Sequence, residues 1–431
     1  MKYKNIRYPA YIEEAFEFPD FYRVQMDFAR PRLIDIVDKT RKEVGRQLEQ
    51  IPVKKGESVS VGVGSRGIAN IAEIVHAICQ EIKERGATPI VLPTMGSHGG
   101  ATAEGQVKVL QTYGVTPESC GAEIRSSMDV KQIATAFSEV PVYFSAEALA
   151  TDHSICVNRI KPHTKFKAVV ESGVFKMLCI GMGKHEGALA YHKWAMKYGF
   201  YPLMTEIGKA VFQGSNFRFG VGVIENAFDE TMHIEALAVS NLFEREQELL
   251  QLAKENMPRL PVKEADVLIV REIGKELSGA GMDPNITGRA ADLMEDDFSG
   301  LFKTTRLAIL NLSKASKGNA LGMGNADIIT SKVFEALDYE TTLMNILTSN
   351  SLKKAAIPVI MPTDEKAIQT CFSTLGPIPT GEARALIIKD TLHLGECWAS
   401  ESLLEEIGQN PVATVHEKVK LKFNDEGNLE L

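Results

Sequence analysis

The chain has 431 residues, 44% of them hydrophobic and 24% charged, with a formal net charge of −8. That length exceeds one ordinary core and predicts two domains. The acidic balance excludes a binder of nucleic-acid backbones, because no basic stripe outweighs the acids.

Six cysteines without a C-x-x-C pair disfavour a zinc ribbon or iron–sulfur cluster and fit free thiols in a reducing cytosol. The N-terminal MKYKNIRYPAYIEEAFEFPD lacks the apolar centre of a signal peptide. No stretch approaches the ~20 apolar residues of a membrane span. A soluble, cytoplasmic protein without nucleic-acid or membrane partners is expected; whether it forms a homo-oligomer is left open.

In chain order, PRLIDIVDKTRKEVGRQLEQI (31–51) reads as a helix with proline at its start. SVSVGVG (58–64) is a buried strand. IANIAEIVHAICQEIKERG (68–86) is an amphipathic helix closed by Gly86. TPIVLPT (88–94) is the next strand and AEGQVKVLQTYG (103–114) the next helix. This alternation is that of βαβ units on a parallel sheet, where ligands bind at the carboxyl ends of strands. Two such ends carry reactive residues: Ser65-Arg66 in GVGSRG, and His98 in MGSHGG.

HSICVN (153–158) is a further strand, broken at Lys161-Pro162, because the residue before proline is pushed away from helix. FYPLMTEIGKAVFQG (200–214) reads as helix, FRFGVGVIEN (217–226) as strand and SNLFEREQELLQLAKENM (240–257) as helix, followed by the linker MPRLPVK (257–263). ADVLIVREIG (265–274) opens a second unit, completed by RLAILNLS (306–313), ADIITSKVFEALD (326–338) and ALIIKDT (385–391). Between them KELSGAGMDPNITGR (275–289) is a long loop, of the kind that is functional or disordered. The expected fold is therefore α/β: two α/β domains with largely parallel sheets and helices on the faces, and an active site in the cleft between them. Residues 1–262 would form the catalytic domain and 263–399 the domain that closes over substrate. The segment 400–431, opening with the helix SESLLEEIGQ, would fold back on the first.

Chemistry concentrates between Asn158 and His192, which holds three of the nine histidines (His163, His185, His192) among lysines, glycines and short apolar runs. GVGSRG (62–67) has the G-x-G-x-x-G spacing of a dinucleotide fold. However, the acid expected ~20 residues further on is missing, since the next strand ends in Pro93-Thr94. A glycine turn that presents Arg66 to a carboxylate or phosphate fits better, an ordinary turn with a solvated arginine being the plain alternative. Glycines beside His98 permit close ligand approach, and burial of Lys176 in an apolar run would make it nucleophilic. Lys184 and His185 read as exposed bystanders. No H-E-x-x-H or i,i+4 histidine pair is present, so a zinc site would have to be built from His98, His163 and His192.

Three segments, VGVGSRG, MGSHGG and the KPH…FKMLCIG…YH block, resemble the nickel-dependent lactate racemase family, whose members racemise or epimerise 2-hydroxy acids. The resemblance implies that Lys176 carries a covalent nickel-pincer nucleotide and that His192, sixteen residues later, ligates the nickel. His98 and His163 would be the acid/base pair and Arg66 the carboxylate anchor, while Ser65, Arg66 and Gly67 would help hold the cofactor. It implies cofactor-biosynthesis enzymes as loading partners and a small 2-hydroxy acid as substrate. Val63 stands where the family has an acid three residues before the arginine, and Pro284 stands in place of a loop glutamine in GAGMDPN. Thirteen residues separate His163 from Lys176, a longer interval than the family's. Lys275 and Arg289 are the candidates for the family's second-domain lysine.

Removing a proton beside a carboxylate is unfavourable, whereas removing hydride leaves a stable keto acid and demands a cofactor to carry it. Two imidazoles of pKa ~6.5 suit proton transfer in either direction. A zinc-dependent hydrolase or lyase, and a non-enzymatic hydroxy-acid or nucleotide binder, are the alternatives.

Overall fold

A computed structural model describes residues 6–65, 67–291, 298 and 300–431. The chain divides into two compact units, Ala29–Met257 and a second one made of Pro258–Leu431 together with the segment up to Phe28. The first strand, β1 (Phe21–Met26), thus belongs to the second unit.

The 29–257 unit carries β2 (Ser58–Val63), β3 (Thr88–Pro93), β4 (Glu123–Ile124), the hairpin β5 (Val130–Ala136) and β6 (Val140–Ser145), β7 (His153–Arg159), β8 (Phe217–Glu225) and β9 (Thr231–Ala238). Its main sheet has the order β4-β3-β2-β7-β8-β9. The strands from β4 to β8 run parallel and β9 returns antiparallel to β8. β2 is buried at five of its six positions, as a central parallel strand with both faces covered should be.

The helices Ile36–Gln50 and Ile71–Glu84 pack against each other over this sheet. The first begins five residues after Pro31, because Asp35 caps it by accepting the Asp38 amide at 2.8 Å. Gly86 and Gly114 take φ of +75° and +74° just beyond their helices, the left-handed stop expected of glycine there.

The second unit carries β10 (Glu264–Val270), β11 (Lys303–Ile309), β12 (Ile328–Thr330), β13 (Val359–Met361), β14 (Ala385–Ile388), β15 (Glu396–Ser400) and β16 (Ala413–Val419). With β1 they form one sheet in the order β13-β12-β11-β10-β14-β15-β1-β16. From β13 to β14 the pairing is parallel, and from β14 through β15 and β1 to β16 it is antiparallel. The α/β class with largely parallel sheets is therefore present in both units.

Two boundaries differ from those read in the sequence. Residues up to 28 leave the first domain because Phe21 and Val24 of β1, both fully buried, pair with Ser400 and Cys397 of β15. Residues 400–431 belong instead to the second unit. The expected helix is two short turns, Glu401–Leu403 and Leu404–Ile407, and the chain then runs on as β16 beside β1. The loop 275–289 is also tighter than expected. Ala280 and Met282 are buried, Asp283 caps a turn at Pro284–Thr287, and a Cβ at Gly281 would collide with the Leu321 carbonyl.

All six cysteines are buried free thiols. Among the described residues no helix is long and apolar enough to cross a membrane.

Because Phe21 fills the core beside Ile387 and Trp398, Phe21→Ala should lower the stability of the second unit by about 3–5 kcal/mol. Urea unfolding measures this, and a loss below about 1 kcal/mol would contradict the placement of β1.

Candidate active site

Strands β2, β3 and β7 lie side by side in register, Val63 opposite both Pro93 and Val157, so the segments that follow them emerge at one edge of the sheet. Ser65 and His98 stand on two of these segments. Ser65 Oγ and His98 Nδ1 are 2.6 Å apart, which fixes one edge of the imidazole. The His98 loop is held from below by the buried Gln106, whose amide donates to the carbonyls of Gly96 (2.8 Å) and His98 (3.3 Å). Gly67 turns the chain at φ +57°, and among the described residues nothing lies within 4 Å of where its Cβ would be. Arg66 lies outside the described residues.

After β7 the chain makes a closed loop. Its neck is the pair Lys161 and Ser172, whose backbones bond at 2.9 and 3.3 Å. Its hub is Glu171, fully buried, which accepts the amides of His163 (2.6 Å) and Ala168 (3.3 Å) and pairs with Lys167 (3.2 Å) and Lys254 (2.7 Å). The carboxylate thus organises the loop that carries His163.

The Lys165 amide donates to His163 Nδ1 at 3.0 Å, and Nε2 lies 2.6 Å from Lys176 Nζ. An Nδ1 that accepts an amide proton puts the ring proton of a neutral imidazole on Nε2. The geometry therefore sets the Lys176 amine within direct proton-transfer distance of an imidazole.

Lys176 begins a π-helical turn, Met177–Gly181, that leads into the helix Lys184–Tyr198 bearing His192. His163 and His192 flank one aromatic cluster. The His163 ring is 4.6 Å from Phe166, Phe166 stacks on Phe200 at 5.4 Å, and Phe200 is 6.4 Å from His192. The Lys165 ammonium sits 4.8 Å over Phe200, a cation–π contact.

The π turn lies on the strand ends because glycines admit it. A Cβ at Gly64 would be 2.6 Å from Met177 Cε, and one at Gly181 would be 2.8 Å from the Thr94 carbonyl and would strike Met177 Sδ. Gly96 of the His98 loop meets Ile180 and Ala188 in the same way. Ser65, His98, His163, Lys176 and His192 are thereby carried by elements that pack on one another within the 29–257 unit.

Lys184 departs from its expected exposed position. It is 1% exposed, its backbone is left-handed at φ +54°, and its ammonium donates to the Pro93 carbonyl at the end of β3. Burial pulls its pKa down to about 8, the charge of Glu147 opposing the shift. Nothing in the sequence around GMGKHEG distinguishes it from a surface lysine. His185 is partly exposed.

Among the described residues no three His, Cys, Asp or Glu side chains are grouped to hold a metal ion by themselves, so His98, His163 and His192 do not assemble a three-histidine zinc site. A planar group that brings its own metal donors needs only one imidazole, a free amine for attachment and aromatic faces. His192 and Lys176 supply the imidazole and the amine, while the buried Phe166–Phe200 stack backs the His163 ring.

No protein-family model matches the chain, and no curated protein matches it in sequence. In fold it is similar to the lactate racemase apoprotein from Thermoanaerobacterium thermosaccharolyticum. The TM-score is 0.52 at 14% identity, over 86% of this chain and 98% of the other. At that identity the likeness is one of fold, and it covers both α/β units.

Lys184 gives the site a pH signature. In the unfolded chain its pKa returns to 10.5, so between about pH 8 and 10.5 the unfolded state binds the extra proton and stability rises with pH. Relative to Lys184→Met, the wild-type protein should gain up to about 3 kcal/mol between pH 7 and pH 10.5. Urea unfolding at both pH values measures it, and a pH-independent difference would refute the assignment.

Proposed function

We propose that the protein is a racemase or epimerase acting at C2 of a 2-hydroxy acid, with a nickel-pincer nucleotide attached to Lys176. The observation that carries this is the 2.6 Å approach of Lys176 Nζ to His163 Nε2, which sets an amine for attachment beside a proton-transferring imidazole. The fold likeness to a lactate racemase apoprotein supports the same class of chemistry.

When bound, the cofactor supplies a hydride acceptor and donor, a capacity no side chain has. Lys176 provides the attachment and His192 one imidazole donor, a ligand type that suits nickel. His98 and His163 act on the hydroxyl oxygen of the substrate: one removes its proton and the other returns a proton when the centre is rebuilt from the opposite face. Each ring is held for that work, His98 by Ser65 and His163 by the Lys165 amide. Phe166 and Phe200 exclude water behind the reacting centre. Arg66, by its place in GVGSRG, is assigned to the substrate carboxylate. Enzymes that synthesise the cofactor would be the loading partners.

Protein produced together with those enzymes should contain nickel and a mass adduct on the peptide bearing Lys176. Nickel-free protein with an unmodified Lys176 would refute the assignment. Such loaded protein should drive the circular dichroism of one enantiopure member of a panel of 2-hydroxy acids to zero, or, for an epimerisable one, to that of a mixture of the two epimers. His98→Ala and His163→Ala should each lower that rate by about 10²–10⁴, and unchanged rates would remove both histidines from the mechanism.

A further inference from the structure

The turn that presents Lys176 has no capping side chain of its own, because its first residue is Gly173. The missing acceptor arrives from 71 residues away. Glu246, on the helix Leu242–Glu255, is 1% exposed and its Oε2 accepts the Phe175 amide at 3.1 Å. A Cβ at residue 173 would collide with Glu246 Oε1, so the carboxyl occupies the space that glycine leaves. Among the described residues Oε1 makes no hydrogen bond of good geometry, which costs stability and calls for a compensating role.

Two further contacts immobilise the same three residues. Asn158 Nδ2 donates to the Gly173 carbonyl at 2.8 Å. The Phe175 ring is wedged edge-on between Phe212 at 5.5 Å and Phe243 at 5.4 Å, the latter from the helix that carries Glu246. Lys176 is the next residue, so its nitrogen is aimed by a backbone gripped from several sides.

We propose that Glu246 is a positioning residue for Lys176: its buried carboxyl clamps the turn 173–175 and so keeps the lysine nitrogen on His163 Nε2. Burial pushes the Glu246 carboxyl up to about 8, against the downward pull of the Phe175 and Val174 amides. At neutral pH it is therefore largely the neutral acid, which still offers a carbonyl oxygen to the turn. The clamp needs an acceptor at that distance and not a charge. Glutamine should therefore substitute for it, whereas aspartate, one methylene shorter, should not.

This role rests on Lys176 being the anchoring lysine, and the test uses the full-length protein before cofactor loading so that the two claims fail separately. Trinitrobenzenesulfonate is applied at neutral pH, and labelling of Lys176 is read by peptide mass spectrometry against the exposed Lys389. Glu246→Gln should label Lys176 within twofold of the wild-type ratio. Glu246→Asp should label it at least fivefold more slowly while retaining the wild-type circular dichroism. Equal ratios in wild type and Glu246→Asp, or a Glu246→Gln as slow as Glu246→Asp, would overturn the proposal.

Should Glu246→Asp fail to fold, hydrogen exchange in the wild type decides. A clamped Phe175 amide is protected at least tenfold relative to an open turn, and an unprotected one overturns the clamp. An unmodified Lys176 in protein made with the cofactor enzymes, together with the labelling pattern expected above, would sink the cofactor assignment and leave the clamp standing.

Discussion

The candidate site depends on a close approach of backbones, with the π turn Met177–Gly181 lying directly on the ends of β2 and β3. Glycines at 64 and 181 make it geometrically allowed, since any side chain there would meet Met177, Asn158 or the Thr94 carbonyl. Close packing of this kind has few alternative solutions. It fixes where Lys176 enters the turn and where the following helix starts, and so where His192 stands. A chain lengthened or shortened between Lys176 and Gly183 would keep the sheet and lose the convergence of amine and imidazoles.

Around this contact the 29–257 unit buries Glu171, Glu246 and Lys184, each tied to backbone. Glu171 closes the His163 loop, Glu246 holds the turn before Lys176, and Lys184 reaches the carbonyl that ends β3. Of these three, Glu171 is the one paired with counter-charges among the described residues, Lys167 and Lys254. A protein selected for stability alone would fill such positions with apolar side chains, which are often as stable or more so. Retaining polar groups at these places trades stability for defined backbone positions, as expected where reacting atoms must be held in register.

The sequence made the alternating strands and helices of the 29–257 unit legible because their apolar runs are long and glycine marks their ends, as at Gly86 and Gly114. His98, His163, Lys176 and His192 stood out because charged and imidazole side chains interrupted glycine-rich or apolar stretches. β1 was not legible, since its six residues, FYRVQM, bury only three positions and its partners lie almost 400 residues away. Local pattern carries no record of such pairing. Lys184 and Glu246 were missed for a related reason: a buried charged residue reads as a surface one until tertiary packing closes over it. Ser65 was marked for the cofactor, yet the contact it makes is with His98, a neighbour supplied by the next strand of the sheet.

The placement of β1 in the middle of an antiparallel run also sets an order of assembly. It is synthesised before any of its partners, and the strands on either side of it, β15 and β16, follow only after the whole 29–257 unit. While the ribosome is still producing them, the intervening 29–257 unit holds all its own strands and can close its core first. During that interval β1 is a tethered strand with both edges open, and its alternation of Arg23 and Gln25 with apolar neighbours is the kind of polar interruption that limits pairing with the wrong partner. The sheet that contains β1 is in this way completed after that of the 29–257 unit.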